Sequence, residues 1–200
     1  MPVAALILAA GSSRRFGSDK RQARLPSGQT MLEAVIRVHL QVVDTVRVVT
    51  REHDAFAEAV CRATGAQPVV CPHAALGMGH SLAAGLEWAT HQPNVQAVLV
   101  SMADMPAVLP DTLRALLAQF QASGTLVAPR YVGPSAPGRV PGRWGNPRLL
   151  PRVHWSGLLT LTGDQGAGAV LDWSHAEVVD VSDPGILCDA DTPQDLAGLP

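Results

Sequence analysis

Short apolar runs and amphipathic stretches alternate along the chain. The run from Val3 to Ala9 is apolar throughout, as in a strand buried on both faces of a parallel sheet. From Met31 to Val43 apolar residues recur every three or four positions, which predicts a helix. Further strands are predicted at 46–49, 67–71, 95–100, 126–128 and 177–181, and further helices at 54–64, 81–90, 110–121 and 149–159. This alternation predicts an α/β fold with a doubly wound, mostly parallel sheet and helices on both faces.

One segment interrupts the pattern. The stretch from Tyr131 to Pro147 contains four prolines and four glycines, together with Arg139 and Arg143. Such a composition predicts a loop, which is interpreted either as a disordered excursion or as a mobile substrate lid. Neither a repeat nor a second core is evident elsewhere, so residues 1–200 are expected to form a single domain.

Composition narrows the class of protein. Fifteen basic and 17 acidic residues give a net charge of −2, which favours neither nucleic acid nor a membrane surface as a partner. No apolar run reaches the roughly 18 residues of a spanning helix, and the first residues lack the pattern of a signal peptide. The three widely spaced cysteines indicate neither a disulfide framework nor a zinc site. We therefore expect a soluble, cytoplasmic protein.

The loop that follows the first strand has the residues of a phosphate-binding loop. Small residues let a ligand approach the backbone, while backbone N–H groups and fixed cations suit a polyphosphate. The spacing matches neither the P-loop nor the dinucleotide-binding fingerprint. The candidate nucleotide-binding residues here are Leu8, Ala9, Ala10, Gly11, Ser12, Ser13, Arg14, Arg15, Gly17 and Lys20.

Carboxylates follow two other predicted elements. Asp104 comes directly after the 95–100 strand, at the edge where parallel strands place ligands, and is a candidate ligand for Mg²⁺. Asp189 and Asp191 lie two residues apart and would point the same way in an extended segment. Asp189 is the favoured second metal ligand and Asp191 its rival, because Asp191 or Thr192 could instead cap a helix that begins at Pro193.

Six blocks in a fixed order resemble the molybdenum-cofactor nucleotidyltransferases. The first, Leu8 to Lys20, is similar to their LAAGxSxRMGxxK opening. The other five are similar to the family's GMSxSL, GDMP or GDQP, GHP, GDxGA and DIDTPEDL segments; they are Gly77–Leu82, Ala103–Pro106, Gly145–Pro147, Gly163–Ala167 and Asp189–Leu196. Together the blocks span the whole chain.

The resemblance implies a fold and a reaction. The fold would be Rossmann-like, of the nucleotide-diphospho-sugar transferase type. The reaction would be Mg²⁺-dependent transfer of a nucleoside monophosphate from a nucleoside triphosphate to an acceptor phosphate, with release of pyrophosphate. Arg15, Lys20 and Asp104 would be catalytic, with Arg14 as a helper. His80 and Ser81 would lie near the ribose or base, and the acceptor side would include Asn146, Pro147, Gly163 and Asp164.

The resemblance also bears on the substrates. Ala10 favours CTP, because cytidylyl members read Leu-Ala-Ala-Gly where guanylyl members read Leu-Ala-Gly-Gly. The acceptor would be molybdopterin, and a molybdoenzyme would be a partner for the product. Ala103, Asn146 and the polar run that begins at Arg21 depart from the family pattern and leave the acceptor open.

Two other interpretations remain at this stage. One is a related enzyme that uses GTP or another phosphorylated acceptor such as a sugar phosphate. The other is a non-catalytic chaperone that binds the cofactor for a molybdoenzyme, which predicts damaged metal or triphosphate positions. Arg15, Lys20, Asp104 and Asp189 are all present, which favours an enzyme.

Overall fold

A computed structural model describes residues 1–13, 16–135 and 140–199. Its strands are β1 (Val3–Leu8), β2 (Val46–Thr50), β3 (Gln67–Val70), β4 (Ala97–Met102), β5 (Val127–Tyr131), β6 (Arg148–Pro151) and β7 (Glu177–Val181). Within the described ranges they form one seven-stranded sheet in the order β3-β2-β1-β4-β6-β5-β7. All neighbours pair in parallel except β6, which is antiparallel to β4 and β5. The predicted doubly wound, mostly parallel sheet is confirmed.

Helices cover both faces of this sheet. They are α1 (Met31–Leu40), α2 (Ala55–Thr64), α3 (Met78–Thr90), α4 (Pro110–Ser123), α5 (Trp155–Leu158) and α6 (Pro193–Ala197). Side chains of β1 alternate between the two faces: Ile7 packs in the core with α1 and α2, whereas Leu6 packs in the core with α3 and α5. A third cluster joins α4 to β4, β5 and β6. Among the described residues, no helix combines the length and apolarity needed to cross a membrane.

Residues 149–159 correct the predicted helix. The segment begins as β6, and α-helix is confined to Trp155–Leu158. Leu149 and Leu150 are both buried but lie in clusters on opposite faces of the sheet. A short strand buried on both faces leaves the same apolar run as one turn of buried helix, so periodicity cannot distinguish them.

The proline- and glycine-rich loop is partly tied to β5. Tyr131 is the last residue of that strand rather than part of the loop, and its N–H donates to the Arg143 carbonyl at 2.9 Å. Gly145 N–H donates to the Pro129 carbonyl at 2.9 Å, so the returning chain runs beside β5. Residues 136–139, including the predicted loop cation Arg139, lie outside the described residues. The lid interpretation therefore stays a prediction.

Arg152 closes the C-terminal end of α3. Its guanidinium donates to the carbonyls of Thr90 at 2.7 Å, Gln92 at 2.9 Å and Val95 at 3.0 Å, and it lies 5.0 Å from the Trp155 ring centroid. These carbonyls belong to the last turn of α3 and the residues that follow it, where helical partners run out.

We expect Arg152→Met to lower the free energy of unfolding by about 2–3 kcal/mol, because it removes several hydrogen bonds from a charged donor. Urea unfolding of the variant and of Arg114→Met would measure this. Arg114 is an exposed α4 residue paired with Asp111, and its variant should stay within about 0.5 kcal/mol of the parent. Equal stabilities for the two variants would contradict the capping role.

His39 is a buried histidine between α1 and β4. Its Nδ1 lies 2.8 Å from the Val35 carbonyl oxygen, to which only an N–H can donate, so Nε2 is the acceptor for the Ser101 hydroxyl at 2.6 Å. Burial lowers the pKa of His39 to about 4, although the Val35 carbonyl partly opposes the shift. The ring is therefore neutral in the folded protein at neutral pH.

This histidine should make stability depend on pH. The ordinary histidine pKa of 6.5 applies to the unfolded chain, so between pH 6.5 and about 4 the unfolded state binds more protons. The free energy of unfolding should thus fall as pH falls through this window, by about 2 kcal/mol from pH 7 to pH 5. Urea unfolding at both pH values would show a smaller loss for His39→Gln than for the parent. Equal losses would exclude His39 as the source.

Candidate active site

A cavity of about 470 Å³ opens at the carboxyl ends of β1 and β4. These strands are neighbours in the sheet, and ligands of open α/β sheets bind at this edge. The cavity walls come from the loop after β1, the segment that leads into α3, the loop after β4, Asp164 and Asp191. The lining residues are 8–13, Lys20, Arg21, 74–78, Ser81, 102–104, Asp164 and Asp191.

The loop after β1 opens directly onto the cavity. A Cβ placed on Gly11 would meet no atom within 4 Å, so this glycine leaves space beside the backbone rather than filling a tight contact. Ser13 has a φ of 50°, and its hydroxyl accepts from the Lys20 N–H at 3.3 Å, which folds the loop back on itself. Gly17 also has a positive φ, of 77°, but does not line the cavity. Arg14 and Arg15 lie outside the described residues.

Lys20 lies between two carboxylates. Its Nζ is 2.6 Å from Asp104 Oδ2 and 2.9 Å from Asp191 Oδ1. Burial opposes the charged ammonium, but the two aspartates outweigh this effect and raise the pKa of Lys20, which therefore stays protonated. Residues separated by 84 and 171 positions thus meet at one point of the cavity.

The pair Asp104 and Asp191 fits a hard divalent cation. Asp104 Oδ1 is buried and has no hydrogen-bond partner among the described residues, so one carboxylate oxygen is left for a further ligand. Within residues 1–13, 16–135 and 140–199, no group of three or more His, Cys, Asp or Glu side chains is placed to hold a metal ion. One or two carboxylates are what Mg²⁺ commonly takes when substrate phosphates and water complete its coordination.

The structure brings Asp191, and not Asp189, to the cavity. Asp189 is exposed and does not line it. The segment before Asp189 is a 3-10 helix, Pro184–Leu187, rather than an extended strand, so the two aspartates need not point the same way. The helix-capping role considered for Asp191 is filled by Thr192, whose hydroxyl caps α6 by accepting from the Asp195 N–H.

Asp183 and Gly185 explain how Asp191 reaches Asp104. The buried Asp183 carboxylate accepts from Leu109 N–H at 2.9 Å and Thr112 Oγ1 at 2.7 Å, both at the start of α4. A Cβ on Gly185 would lie 2.2 Å from the Ala107 carbonyl oxygen, so only glycine allows this approach. Ala190 N–H then donates to the Asp104 carbonyl at 2.9 Å. The chain that carries Asp191 is thus fixed against the loop that carries Asp104.

Two glycine-rich segments that contribute residues to the cavity wall pack against each other. Gly77 has a φ of 124°, and a Cβ there would lie 2.3 Å from the Gly163 carbonyl. Gly79 N–H donates to the same carbonyl at 2.8 Å. Of the residues predicted in these segments, Ser81 and Asp164 line the cavity, whereas His80 and Gly163 do not. The His80 ring instead lies edge-on to His73, with centroids 6.1 Å apart.

Asn146 and Pro147 lie outside the cavity walls. Asn146 N–H donates to the Ile186 carbonyl at 3.0 Å, and Pro147 is buried. A role for this turn in acceptor binding stays a prediction.

Arg21 is a cavity residue that sequence reasoning did not single out. It is buried, donates twice to Asp19 at 2.8 and 2.5 Å, and donates from Nη1 to Asp54 at 2.5 Å and to the Ala9 carbonyl at 2.7 Å. Asp54 also caps α2, so the network fixes the end of β1 to the start of that helix. The charged pair Asp19 and Arg21 was a signal in the sequence, but its partner Asp54 is 33 residues away.

The site combines the loop that contains Gly11 with a lysine and two aspartates, at the carboxyl edge of a doubly wound sheet. This combination is typical of a nucleotidyltransferase-like α/β protein. Residues 5–178 match the model of the MobA-like NTP transferase domain, and the chain belongs to this family. The predicted membership of this family is thereby confirmed; the matched residues include five of the six sequence blocks, and Asp189–Leu196 lies beyond them.

Individual relatives agree with this placement. The chain is 34% identical over 139 residues to the bifunctional protein GlmU of Alkalilimnicola ehrlichii, a match over 68% of this chain and 29% of that protein. It is 32% identical over 132 residues to a probable molybdenum cofactor guanylyltransferase of Chloroflexus aggregans, over 64% of this chain and 58% of the relative. The fold is similar to that of Rv0371c from Mycobacterium tuberculosis in complex with manganese, with a TM-score of 0.74, 23% identity and coverage of 100% and 98% of the two chains.

Proposed function

We propose that this chain is a divalent-metal-dependent nucleotidyltransferase that transfers a nucleoside monophosphate from a nucleoside triphosphate to the phosphate of an acceptor and releases pyrophosphate. The observation that carries this proposal is the meeting of Lys20, Asp104 and Asp191 beside the loop that contains Gly11. A cation and two carboxylates at a loop with open backbone suit a triphosphate and its metal.

The reaction needs positioning and charge neutralisation more than covalent catalysis. An oxygen of the acceptor phosphate attacks the α-phosphorus in line; the new P–O bond forms as the bond to the bridging oxygen breaks, and that electron pair leaves with pyrophosphate. Lys20 holds the triphosphate and neutralises the charge of the leaving group, with Arg14 and Arg15 proposed beside it. Backbone N–H groups of Gly11 and Ser12 donate to phosphate oxygens.

Asp104 and Asp191 would hold the metal. Mg²⁺ is the proposed ion, and the manganese complex of the M. tuberculosis neighbour supports a divalent cation. When bound, the metal would supply positive charge that neutralises the phosphates.

CTP is the proposed nucleotide and molybdopterin the proposed acceptor. Ala10, which the family resemblance associates with cytidylyl transfer, is buried in the cavity wall, and Ser81, which also lines the cavity, is proposed to contact the ribose or base. GTP is the second candidate, because the C. aggregans relative is named a guanylyltransferase. On the acceptor side Asp164 is proposed to contact the acceptor, and a molybdoenzyme is the proposed recipient of the product.

The test is to follow pyrophosphate release and product mass. The protein is incubated with Mg²⁺ and either CTP or GTP, first with molybdenum cofactor and then with a panel of sugar phosphates. Faster release with CTP and a product of cofactor plus CMP are expected. Pyrophosphate release with GTP alone would mean that GTP, and not CTP, is the nucleotide substrate. No turnover with any nucleotide and acceptor would overturn the enzyme proposal and favour a non-catalytic binding protein.

A further inference from the structure

Arg148 is held at the start of β6 by two contacts. Its Nε donates to the Gly145 carbonyl at 3.3 Å, and its guanidinium carbon lies 4.6 Å from the centroid of the Trp173 ring. Stacking on an indole fixes the plane of a guanidinium without using its terminal N–H groups. The side chain is therefore oriented, while its Nη donors stay available.

No carboxylate among the described residues lies within ion-pair distance of Arg148. Among the described residues Arg21 pairs with Asp19 and Asp54, and Arg130 pairs with Asp180. Arg47 and Arg152 also lack a carboxylate partner, but each donates to oxygen acceptors, Arg47 to the Gln67 side chain and Arg152 to backbone carbonyls. Burial lowers the pKa of Arg148, with no acidic neighbour to oppose it. A half-buried cation without a counter-ion is costly, and an anionic ligand would lower this cost.

Trp173 adds a second unused donor to the same stacked pair. Its indole Nε1 is buried and has no hydrogen-bond acceptor among the described residues. Buried indole N–H groups usually find a partner, so this one also indicates an absent acceptor. An oxyanion could accept hydrogen bonds from both donors.

The stacked pair lies next to the cavity, on the side away from the loop after β1. Arg148 pairs with Val100 on β4, and Met102, which lines the cavity, lies two residues further along that strand, or about 7 Å. The segment after Asp164 connects the two regions. A Cβ on Gly166 would touch Met78 of the cavity wall at 3.1 Å, and one on Gly168 would lie 3.7 Å from Arg148 Nη1.

We propose that Arg148 and the indole N–H of Trp173 form an oxyanion site for a phosphate or carboxylate group of the acceptor substrate. The assignment to the acceptor rests on the proposed nucleotidyl transfer, in which the triphosphate occupies the β1 side of the cavity and the acceptor approaches from the β6 side. Binding at this site selects acceptors that carry an acidic group, and Arg148 acts as a specificity-determining residue rather than a catalytic one.

A titration that does not depend on turnover tests the site itself. Protein labelled with ¹⁵N-tryptophan gives separate indole N–H resonances, and Trp173→Phe identifies that of Trp173. Inorganic phosphate and acetate are added separately, with chloride at the same ionic strength as a reference. A saturable shift of the Trp173 resonance with either anion, at least tenfold weaker in Arg148→Met, is expected. If neither anion gives a saturable shift, or if parent and variant bind the anion equally, the proposal is overturned.

Two further variants keep this test decisive. Arg148→Lys keeps the charge but loses the planar fork, so it should bind the anion more weakly than the parent even if Arg148→Met does not fold. Arg130→Met is the matched control, because Arg130 lies on neighbouring β5 and pairs with exposed Asp180. Anion binding should be unchanged in that variant; an equal loss there would indicate a general charge effect and overturn the site.

Kinetics test the assignment to the acceptor. If the enzyme turns over, Arg148→Lys should raise KM for the acceptor by about 10- to 100-fold and leave KM for the nucleotide unchanged. A rise in nucleotide KM instead would overturn the acceptor assignment. If no turnover is found with any substrate, the titration still decides whether the oxyanion site exists, so failure of the proposed function and failure of this inference are distinguishable.

Discussion

Replacing Asp104 with asparagine is expected to lower turnover by about 10³-fold, because a metal that neutralises phosphate charge contributes several kcal/mol to the transition state and each 1.36 kcal/mol is a factor of ten. Asparagine has nearly the same shape and keeps one carbonyl oxygen for the 2.6 Å contact with Lys20 Nζ. It loses the negative charge and the second carboxylate oxygen, which is the buried atom without a partner. Steady-state pyrophosphate release at saturating substrates measures the effect.

A structural effect must be separated from a catalytic one. Asp111→Asn is the matched control, since Asp111 is an exposed aspartate on α4 whose only ion pair among the described residues is with nearby Arg114. Its turnover should match that of the parent. Thermal unfolding of Asp104→Asn should stay close to that of the parent as well. Turnover of Asp104→Asn within a few-fold of the parent would contradict the metal assignment.

The pattern of apolar residues predicted most of the fold because both faces of the sheet are covered. When both faces are covered, the continuous apolar run of β1 predicts a buried strand, and the apolar stripe of α1 predicts a helix. The helix predicted at 149–159, where the structure has β6, was wrong for a specific reason. Strand β6 is four residues long, lies antiparallel between β4 and β5, and continues into helical turns, so its apolar residues carry no period of their own.

Local sequence predicted the parts of the site that follow a strand. Gly11, Lys20 and Asp104 sit after β1 and β4, and the topology of a parallel sheet brings those ends to one edge. Arg21 was missed because its role depends on Asp54, a residue of another element. Arg148 was missed because what marks it is its place over the ring of Trp173, whose buried indole N–H has no acceptor among the described residues, and a sequence cannot show such contacts.

The choice between the two C-terminal aspartates shows the same limit. Their spacing of two residues favoured a shared direction, which holds only for an extended segment. Here a 3-10 helix precedes Asp189, and the buried Ala190 between the two aspartates donates to the Asp104 carbonyl. Long-range contacts of Asp183 and Gly185 set that geometry, and they become visible only once the chain is folded.

Asp191→Asn should therefore lower turnover by about 10²-fold or more, whereas Asp189→Asn should stay within about twofold of the parent. Of these two aspartates, Asp191 faces Lys20 at 2.9 Å and lines the cavity with Asp104, whereas Asp189 is exposed and does not line it. Turnover measured across a range of Mg²⁺ concentrations separates the roles, since a lost metal ligand shifts half-saturation to higher Mg²⁺ in Asp191→Asn alone. The two substitutions remove the same charge two residues apart, so each controls for the other. The reverse order of effects would return the ligand role to Asp189 and would mean that the 183–191 segment rearranges when substrate binds.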